Sequence, residues 1–279
     1  MPRRRGGGNV APMATAMASP GVGPLLRDWR KRRRLSQLDL ALDAGVSARH
    51  LSFVETGRSR PSAGMLLQLA DRLEVPLRNR NQMLLAAGHA PVFEQHDLED
   101  PEMAPVRQAI DLILDGHEPY PAVVIDRAWE MLGANQAVAL LIAGVAEDLM
   151  APPVNVMRLA LHPEGMAPRI LNLGEWRGHL LERLERQIAL TGDPALISLR
   201  DEVAAYPGPD HTGGSEPEIA VPLRLSTDIG ELSFISTVST FGTAVEVTAS
   251  ELSIESFFPA DDQTADALIH AARGQRQRR

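Results

Sequence analysis

Apolar positions recur at helical spacing from residue 23 to residue 88, and the breaks between them fall at capping and turn residues. Leu25, Leu26, Trp29 and Arg33 share one face of a first helix. Ser36-Gln37-Leu38-Asp39 has the form of a capping box, opening a second helix with Leu38, Ala41 and Leu42 on its expected inner face. Gly45 in Ala44-Gly45-Val46 suits a turn that needs positive φ. Ser47 caps a third helix running to Glu55, with Leu51 and Val54 inward, and Thr56-Gly57 ends it. A fourth helix follows Pro61-Ser62 with Leu66, Leu69, Ala70 and Leu73 as its stripe, and a fifth covers about 77–87 before Gly88. This is an all-α, five-helix region.

The texture changes beyond residue 104. Val106, Ala109, Ile110, Ile113 and Leu114 predict an amphipathic helix; 121–126 and 129–132 read as short strands; Asn135 is expected to open a helix through Ile142. Helices are expected near 154–161, 175–191 and 193–205, the last capped by Asp193-Pro194. After a loop at 206–217, Ile219, Val221, Leu223 and Leu225 alternate with a period of two, and Pro222 makes that strand an edge. Residues 230–240 form a β-branched strand, 243–248 and 252–258 predict one or two more, and 261–272 a closing helix. Antiparallel strands with helices make this an α+β domain.

A length of 279 residues predicts two domains at roughly 150 each. The boundaries read as an arm at 1–22 expected to be disordered, a helical domain at 23–88, an acidic linker at 89–104, a second domain at 105–272 and a basic tail at 273–279, also expected to be disordered. The arm has three arginines before a stretch broken by Asn9, Pro12 and Thr15, which argues against a signal peptide. The longest apolar run, 137–146, falls short of the roughly 20 residues that span a bilayer. With no cysteine, disulfides, thiolate nucleophiles and Cys-bound metals are excluded, which fits a cytoplasmic protein.

The net charge of −8 conceals a division. Residues 1–90 carry 15 Arg and Lys against 6 Asp and Glu, whereas the remainder carries 13 against 30. A basic module for a polyanion is joined to an acidic module whose field repels phosphate.

The segment SQLDLALDAGVSARHLSFVETGRSRPS, with Ser36-Gln37, the AGVS turn, Leu51, Val54-Glu55 and Gly57, resembles the helix-turn-helix of the Cro/repressor (Xre-type) family over about 24–88. In such a unit the second helix lies in the major groove of duplex DNA. The core claims Leu38, Ala41, Val46, Leu51 and Val54, leaving Ala48, Arg49, Ser52 and Phe53 outward on the third helix beside its cap Ser47. Arg49 is the candidate base reader, since a guanidinium grips O6 and N7 of guanine in two bonds. Ala48 and Phe53 suit a thymine methyl, although Phe53 equally suits a partner or core surface. The resemblance places Gln37 at a phosphate or base edge and implies an Arg30–Glu55 ion pair tying the first helix to the third. Arg58 and Arg60 are expected at phosphates. Arg32, Arg33 and Arg34 fit either phosphate binding or a solvated basic face. One short recognition helix reads few bases, so a homodimer on half-sites about 34 Å apart is expected.

In the acidic half, LLLAAGHAPVF, Pro121-Ala-Val-Val-Ile-Asp126 with Trp129 and Asn135, and GELSFISTVSTFGTAVEVTASELSIESFFPAD resemble the MmyB-like regulator family. The resemblance implies a PAS-like, ligand-binding domain and a small apolar effector such as a fatty acid. Candidate lining residues are Trp129, Trp176, Leu232, Phe234 and Phe257, with Asn135 as a polar group; core filling is the competing reading for each. His117, His162, His179 and His211 lack metal-ligand spacing, and Gly213-Gly214-Ser215-Glu216-Pro217 lacks the final Gly and preceding strand of a nucleophile elbow. No cofactor motif occurs, so an enzyme is not expected. The competing functions are an antitoxin or scaffold whose second domain binds a protein, and a hydrolase using Ser215 and His211.

Overall fold

The computed structural model describes residues 21–209 and 220–276. The expectations on the remaining arm, on His211 and Ser215 and on the basic end of the tail lie outside the described residues. Contacts divide the chain into two compact units. One runs to Val75 and from Asn79 to Pro91; the other takes Pro76–Arg78 and everything from Val92 onward.

The first unit holds the expected helices: α1 (Val22–Arg32), α2 (Gln37–Asp43), α3 (Ala48–Glu55), α4 (Ala63–Arg72) and α5 (Leu77–Ala86), whose first two residues belong to the other unit. The capping box at α2 is closed in both directions. Ser36 Oγ accepts from the Asp39 amide at 3.1 Å, and the Ser36 amide donates to Asp39 Oδ2 at 3.0 Å. Those bonds hold the Asp39 carboxyl below its ordinary range. Ser47 and Ser62 cap α3 and α4 in the same manner, and Gly45, at φ +63°, makes the α2–α3 turn. Leu26, Trp29, Leu51, Val54, Leu66, Leu69 and Met83 pack as the core.

The inner face of α2 differs from the expected one. Leu40, Ala41 and Ala44 are buried, whereas Leu38 is 58% and Leu42 72% exposed. Leu38 and Leu42 are one turn apart on the side turned from α3 and α4, so their periodicity marks a real stripe that this unit does not cover. Gly23 is needed for a close approach: a Cβ there would stand 2.6 Å from the carbonyl oxygen of Glu55.

The second unit comprises α6 (Ala104–His117), β1 (Ala122–Ile125), β2 (Met131–Ala134), α7 (Val138–Leu141), α8 (Val156–Leu161), α9 (Leu173–Thr191), α10 (Pro194–Ala204), β3 (Leu223–Thr227), β4 (Gly230–Thr240), α11 (Val247–Ser250), β5 (Ser253–Pro259) and α12 (Asp262–Arg276). The strands form one antiparallel sheet in the order β2-β1-β5-β4-β3. The fold is therefore the expected helical region followed by an antiparallel sheet with helices. β3 lies at an edge, where Pro222 just before it costs no ladder hydrogen bond.

Alternation of side chains divides the sheet into two apolar faces. Val123, Leu223, Leu225, Leu232, Phe234 and Phe257 pack with Trp176, Leu180, Leu184, Leu196 and Leu199 of α9 and α10. Ala122, Val124 and Ile254 face the other way, onto Ile110 and Leu114 of α6. β1 is consequently buried at every position.

Two further expectations are corrected. Residues 243–248 make no strand: the Glu246 side chain accepts from the Ala249 amide at 2.6 Å and caps the helical turn α11. Asn135 does not open a helix, because its side chain braces β1 instead, and α7 starts only at Val138.

Candidate nucleic-acid interface and apolar cavity

The α2-turn-α3 region is organised around one buried carboxylate. Glu55, at the end of α3, is 3% exposed. It accepts from Arg30 Nε at 2.6 Å, Arg30 Nη2 at 2.8 Å and Gln37 Nε2 at 2.8 Å, with Arg27 Nε at 3.5 Å. Burial by itself pushes the Glu55 carboxyl up, but the bonds from Arg30 and Gln37 outweigh it and hold the group below its usual range. The same bond raises Arg30, whose Nη1 also donates to Leu35 O at 2.8 Å. This hub locks the first, second and third helices together and contains the pair implied by the family resemblance.

With Leu51, Val54 and Glu55 turned inward, α3 displays its remaining side chains. Arg49 and His50 are exposed, Ala48, Ser52 and Phe53 half-buried. The Arg49 guanidinium lies 5.4 Å from the Phe53 ring, one turn further along, so the arginine is oriented before any partner arrives. The Ser47 hydroxyl accepts from the His50 amide at 3.1 Å, and Ser52 O accepts from the Thr56 hydroxyl at 2.7 Å. Gln37 keeps its carbonyl oxygen free of these bonds while Glu55 holds its amide.

The loop arginines separate into two kinds. Arg58, after Gly57, is exposed. Arg60 donates through Nε to Ala87 O at 2.7 Å and through Nη2 to Gly88 O at 3.2 Å, closing the end of α5 and keeping three of its five donors. Arg33 likewise donates to Leu73 O at 2.8 Å and Glu74 O at 3.0 Å, which makes it a cap on α4. Arg32 and Arg34 are exposed. His50 is the residue on this face that sequence reasoning passed over; its place between Arg49 and Leu51 on a helix of about two turns was the available signal.

In the second unit a cavity of about 70 Å³ lies between the sheet and helices α7 to α9. Trp129, Trp176 and Phe257 line it, together with Val123, Met157 and Leu180. Leu232 and Phe234 belong to the surrounding core but to no part of the wall. Asn135 is elsewhere: its Oδ1 accepts from the Ala122 amide at 3.0 Å, and its Nδ2 donates to Tyr120 O at 2.7 Å and Leu114 O at 3.3 Å. It borders a separate open cleft of about 710 Å³ with Asp111, Asp115, Glu118 and Arg273.

Trp129 is held from all sides. Its backbone is left-handed at φ +66°, a conformation that costs a bulky residue about 1 to 3 kcal/mol and persists only where surroundings enforce it. Its Nε1 donates to Gln187 Oε1 at 2.7 Å, Gln187 Nε2 donates to Arg127 O at 2.8 Å, and the Arg183 guanidinium stands 4.7 Å over the ring. Arg183 Nη1 donates to Glu255 Oε2 at 3.0 Å. Glu255 is 4% exposed and lines the cavity. Trp176 stacks on His179 at 5.5 Å, and burial, then the Arg183 charge, lowers that imidazole below its ordinary value. Glu255 is the charged side chain in the cavity wall, bonded to Arg183, and sequence reasoning missed it. Glu255 shares a strand face with Phe257, two residues on, and that register was its only local signal.

Residues 106–270 match the family described as the MmyB-like transcription regulator ligand binding domain, and residues 26–78 match a helix-turn-helix family. The chain is 35% identical over 81 residues to a protein of Bacillus subtilis (strain 168) named as the uncharacterized HTH-type transcriptional regulator RghRB. That match covers 29% of this chain and 56% of the relative, so the chain spans little more than half of the relative's length. Among solved structures, a SinR–SinI protein complex is 23% identical over 35% of this chain and 84% of its own, with a TM-score of 0.20. An RNA-binding light-oxygen-voltage receptor is 13% identical over 89% of this chain and 62% of its own, with a TM-score of 0.26. Neither likeness is close enough to carry an argument. The family match, which takes in more than half of the chain, does: the chain belongs to the MmyB-like transcription regulators, with their ligand-binding domain at 106–270 behind a helix-turn-helix at 26–78.

Proposed function

We propose that this protein is a cytoplasmic, sequence-specific DNA-binding transcription regulator whose second unit responds to a small apolar, fatty-acid-like effector. The observation that carries the reading is the outer face of α3: Arg49 stacked on Phe53, beside Ala48 and Ser52, on a helix whose inner face is pinned by Glu55. Arg49 reads a guanine, Ala48 and Phe53 touch thymine methyls, Gln37 and Ser52 meet base or phosphate edges, and the Ser47 end of α3 approaches the backbone. Arg58, with the donors left on Arg60, meets phosphates. A homodimer supplies two such faces to paired half-sites. The effector shifts DNA binding only as far as its affinities for the free and DNA-bound forms differ.

Fluorescence anisotropy with the protein's own promoter and scrambled duplexes tests this. Arg49→Ala is expected to cost about 1 to 3 kcal/mol at the cognate base and to relax specificity there. An equal loss on every duplex would make Arg49 a backbone contact, and absence of salt-sensitive binding to any duplex would remove the proposal.

A further inference from the structure

β4 is longer than one of the strands beside it. β5 accompanies it from Phe234 to Thr240, but its pairing with β3 stops at Phe234, opposite Leu223. The residue before β3 is tied elsewhere: Pro222 O accepts from Asn172 Nδ2 at 2.8 Å. Backbone groups of successive strand residues point to opposite sides. Ser233 O accepts from the Ala260 amide at 2.8 Å on the β5 side, so Ile235, Thr237 and Ser239 bond that way too. The N–H and C=O groups of Ser236, Val238 and Thr240 therefore point outward, and among the described residues no hydrogen bond reaches them.

An open edge of this kind is a template for another strand, and most proteins blunt it with a charge, a proline or a short length. Over 232–241 the run LSFISTVSTF is uncharged and free of proline. Ile235 and Val238 are exposed on its two faces, and Phe258, opposite Ile235, is exposed as well. The run is also matched to itself. Laid antiparallel on a second copy about Val238, it sets valine against valine, Ser236 against Thr240, Thr237 against Ser239 and Ile235 against Phe241. Hydroxyls meet hydroxyls, apolar groups meet apolar groups, and every outward N–H finds an outward C=O. A shift of two residues leaves Ser236 or Thr240 without a counterpart. A patch that meets itself closes as a two-fold dimer.

We propose that two copies of this chain join through the free edge of β4, antiparallel about Val238, so that their sheets become one. This rests on the homodimer reading given above and supplies its interface.

The test is sedimentation of the full chain over a range of concentrations, with amide hydrogen exchange followed in parallel. The amides of Ser236, Val238 and Thr240 are expected to become protected as the concentration rises. Those of Ile235, Thr237 and Ser239, bonded to β5, are expected to be protected throughout. Val238→Lys sets like charges opposite each other on the two-fold axis and should weaken association about tenfold. Glu255, across from Val238 on β5, gives that lysine a counter-charge within its own copy, so the variant should keep its fold. The chain has no cysteine, so the thiol of Val238→Cys can pair only with its equivalent in a second copy. The expected Cα separation of about 5.5 Å permits that disulfide, and mild oxidation should cross-link the dimer. Leu132→Cys, exposed on the opposite edge strand β2, should not cross-link. A dimer that Val238→Lys leaves intact would overturn pairing through β4 and leave the homodimer reading standing. So would exchange of the three outward amides that ignores concentration, or cross-linking no greater at Val238→Cys than at Leu132→Cys. Protection of those amides in a monomer would overturn it too, by showing the edge closed within one chain. A monomer at every concentration, with and without a promoter duplex, would overturn both readings.

Discussion

Removal of the Glu55 side chain is the sharpest perturbation of the helical unit. The carboxylate accepts three hydrogen bonds, two from the charged Arg30 and one from the Gln37 amide. All three are made to a charged group, and such bonds contribute about 1.5 to 3 kcal/mol each, so the gross loss in Glu55→Ala is about 4.5 to 9 kcal/mol. Arg30 recovers part of it, because its side chain is 11% exposed and retains its bond to Leu35 O. The net cost is therefore about 3 kcal/mol, at the lower end of what breaking a buried pair costs. At about 4 to 8 °C per kcal/mol for a domain of this size, the unit should melt on the order of 15 °C lower. Hydrogen exchange at the Leu51 and Val54 amides reports opening of this unit without interference from the other. Replacing both partners, Arg30→Met with Glu55→Met, should return most of the loss, since no charge is then left unpaired.

The pH dependence follows from the same bonds. The folded Glu55 carboxyl lies below its ordinary value of 4.5. Its contribution is thus complete above that value and disappears as pH falls through the lower folded one. Glu55→Gln should flatten the stability profile in that acidic window and leave its shape near neutrality unchanged. A cost below about 1 kcal/mol in Glu55→Ala would refute the idea of a buried hub.

Gly23→Ala forces a methyl to within 2.6 Å of the Glu55 carbonyl oxygen, a backbone atom that cannot swing aside, and should cost about 1 to 3 kcal/mol by denaturant titration; an unchanged midpoint would show that α1 shifts freely. In the second unit, Arg158 and the Tyr206 hydroxyl lower the Glu202 carboxyl to about 2, while burial and Glu202 raise Tyr206 to about 12. Side-chain NMR titration should therefore find Glu202 ionised well below pH 4, its interactions present above the ordinary value of 4.5 and lost as pH falls toward 2. Arg158→Ala should bring that titration back toward the ordinary range, and an unmoved curve would assign the shift to another cause.

Much of this protein is legible in the chain because its signals are local. Capping residues such as Ser36 and Ser47, a glycine turn at Gly45 and apolar spacing act within a few residues, so the five helices and their order follow from sequence. Pro222 announces an edge strand for the same reason: a missing N–H is a property of one residue. The expectation for 243–248 failed because β-branched composition describes a suitable surface, not a partner, and Glu246 caps a helical turn first.

Tertiary structure decided whatever depends on a distant neighbour. Both stripes of α2 have the helical period, and only packing against α3 and α4 selected Leu40 over Leu38 for burial. Arg33 and Arg60 look like free cations until carbonyls 40 and 27 residues away claim them. Arg183 meets Glu255 across 72 residues, because a helix and a strand separated by α10, β3, β4 and α11 share one apolar face. Local backbone preference carries no record of such meetings; they are fixed by how faces close over one another and exclude water.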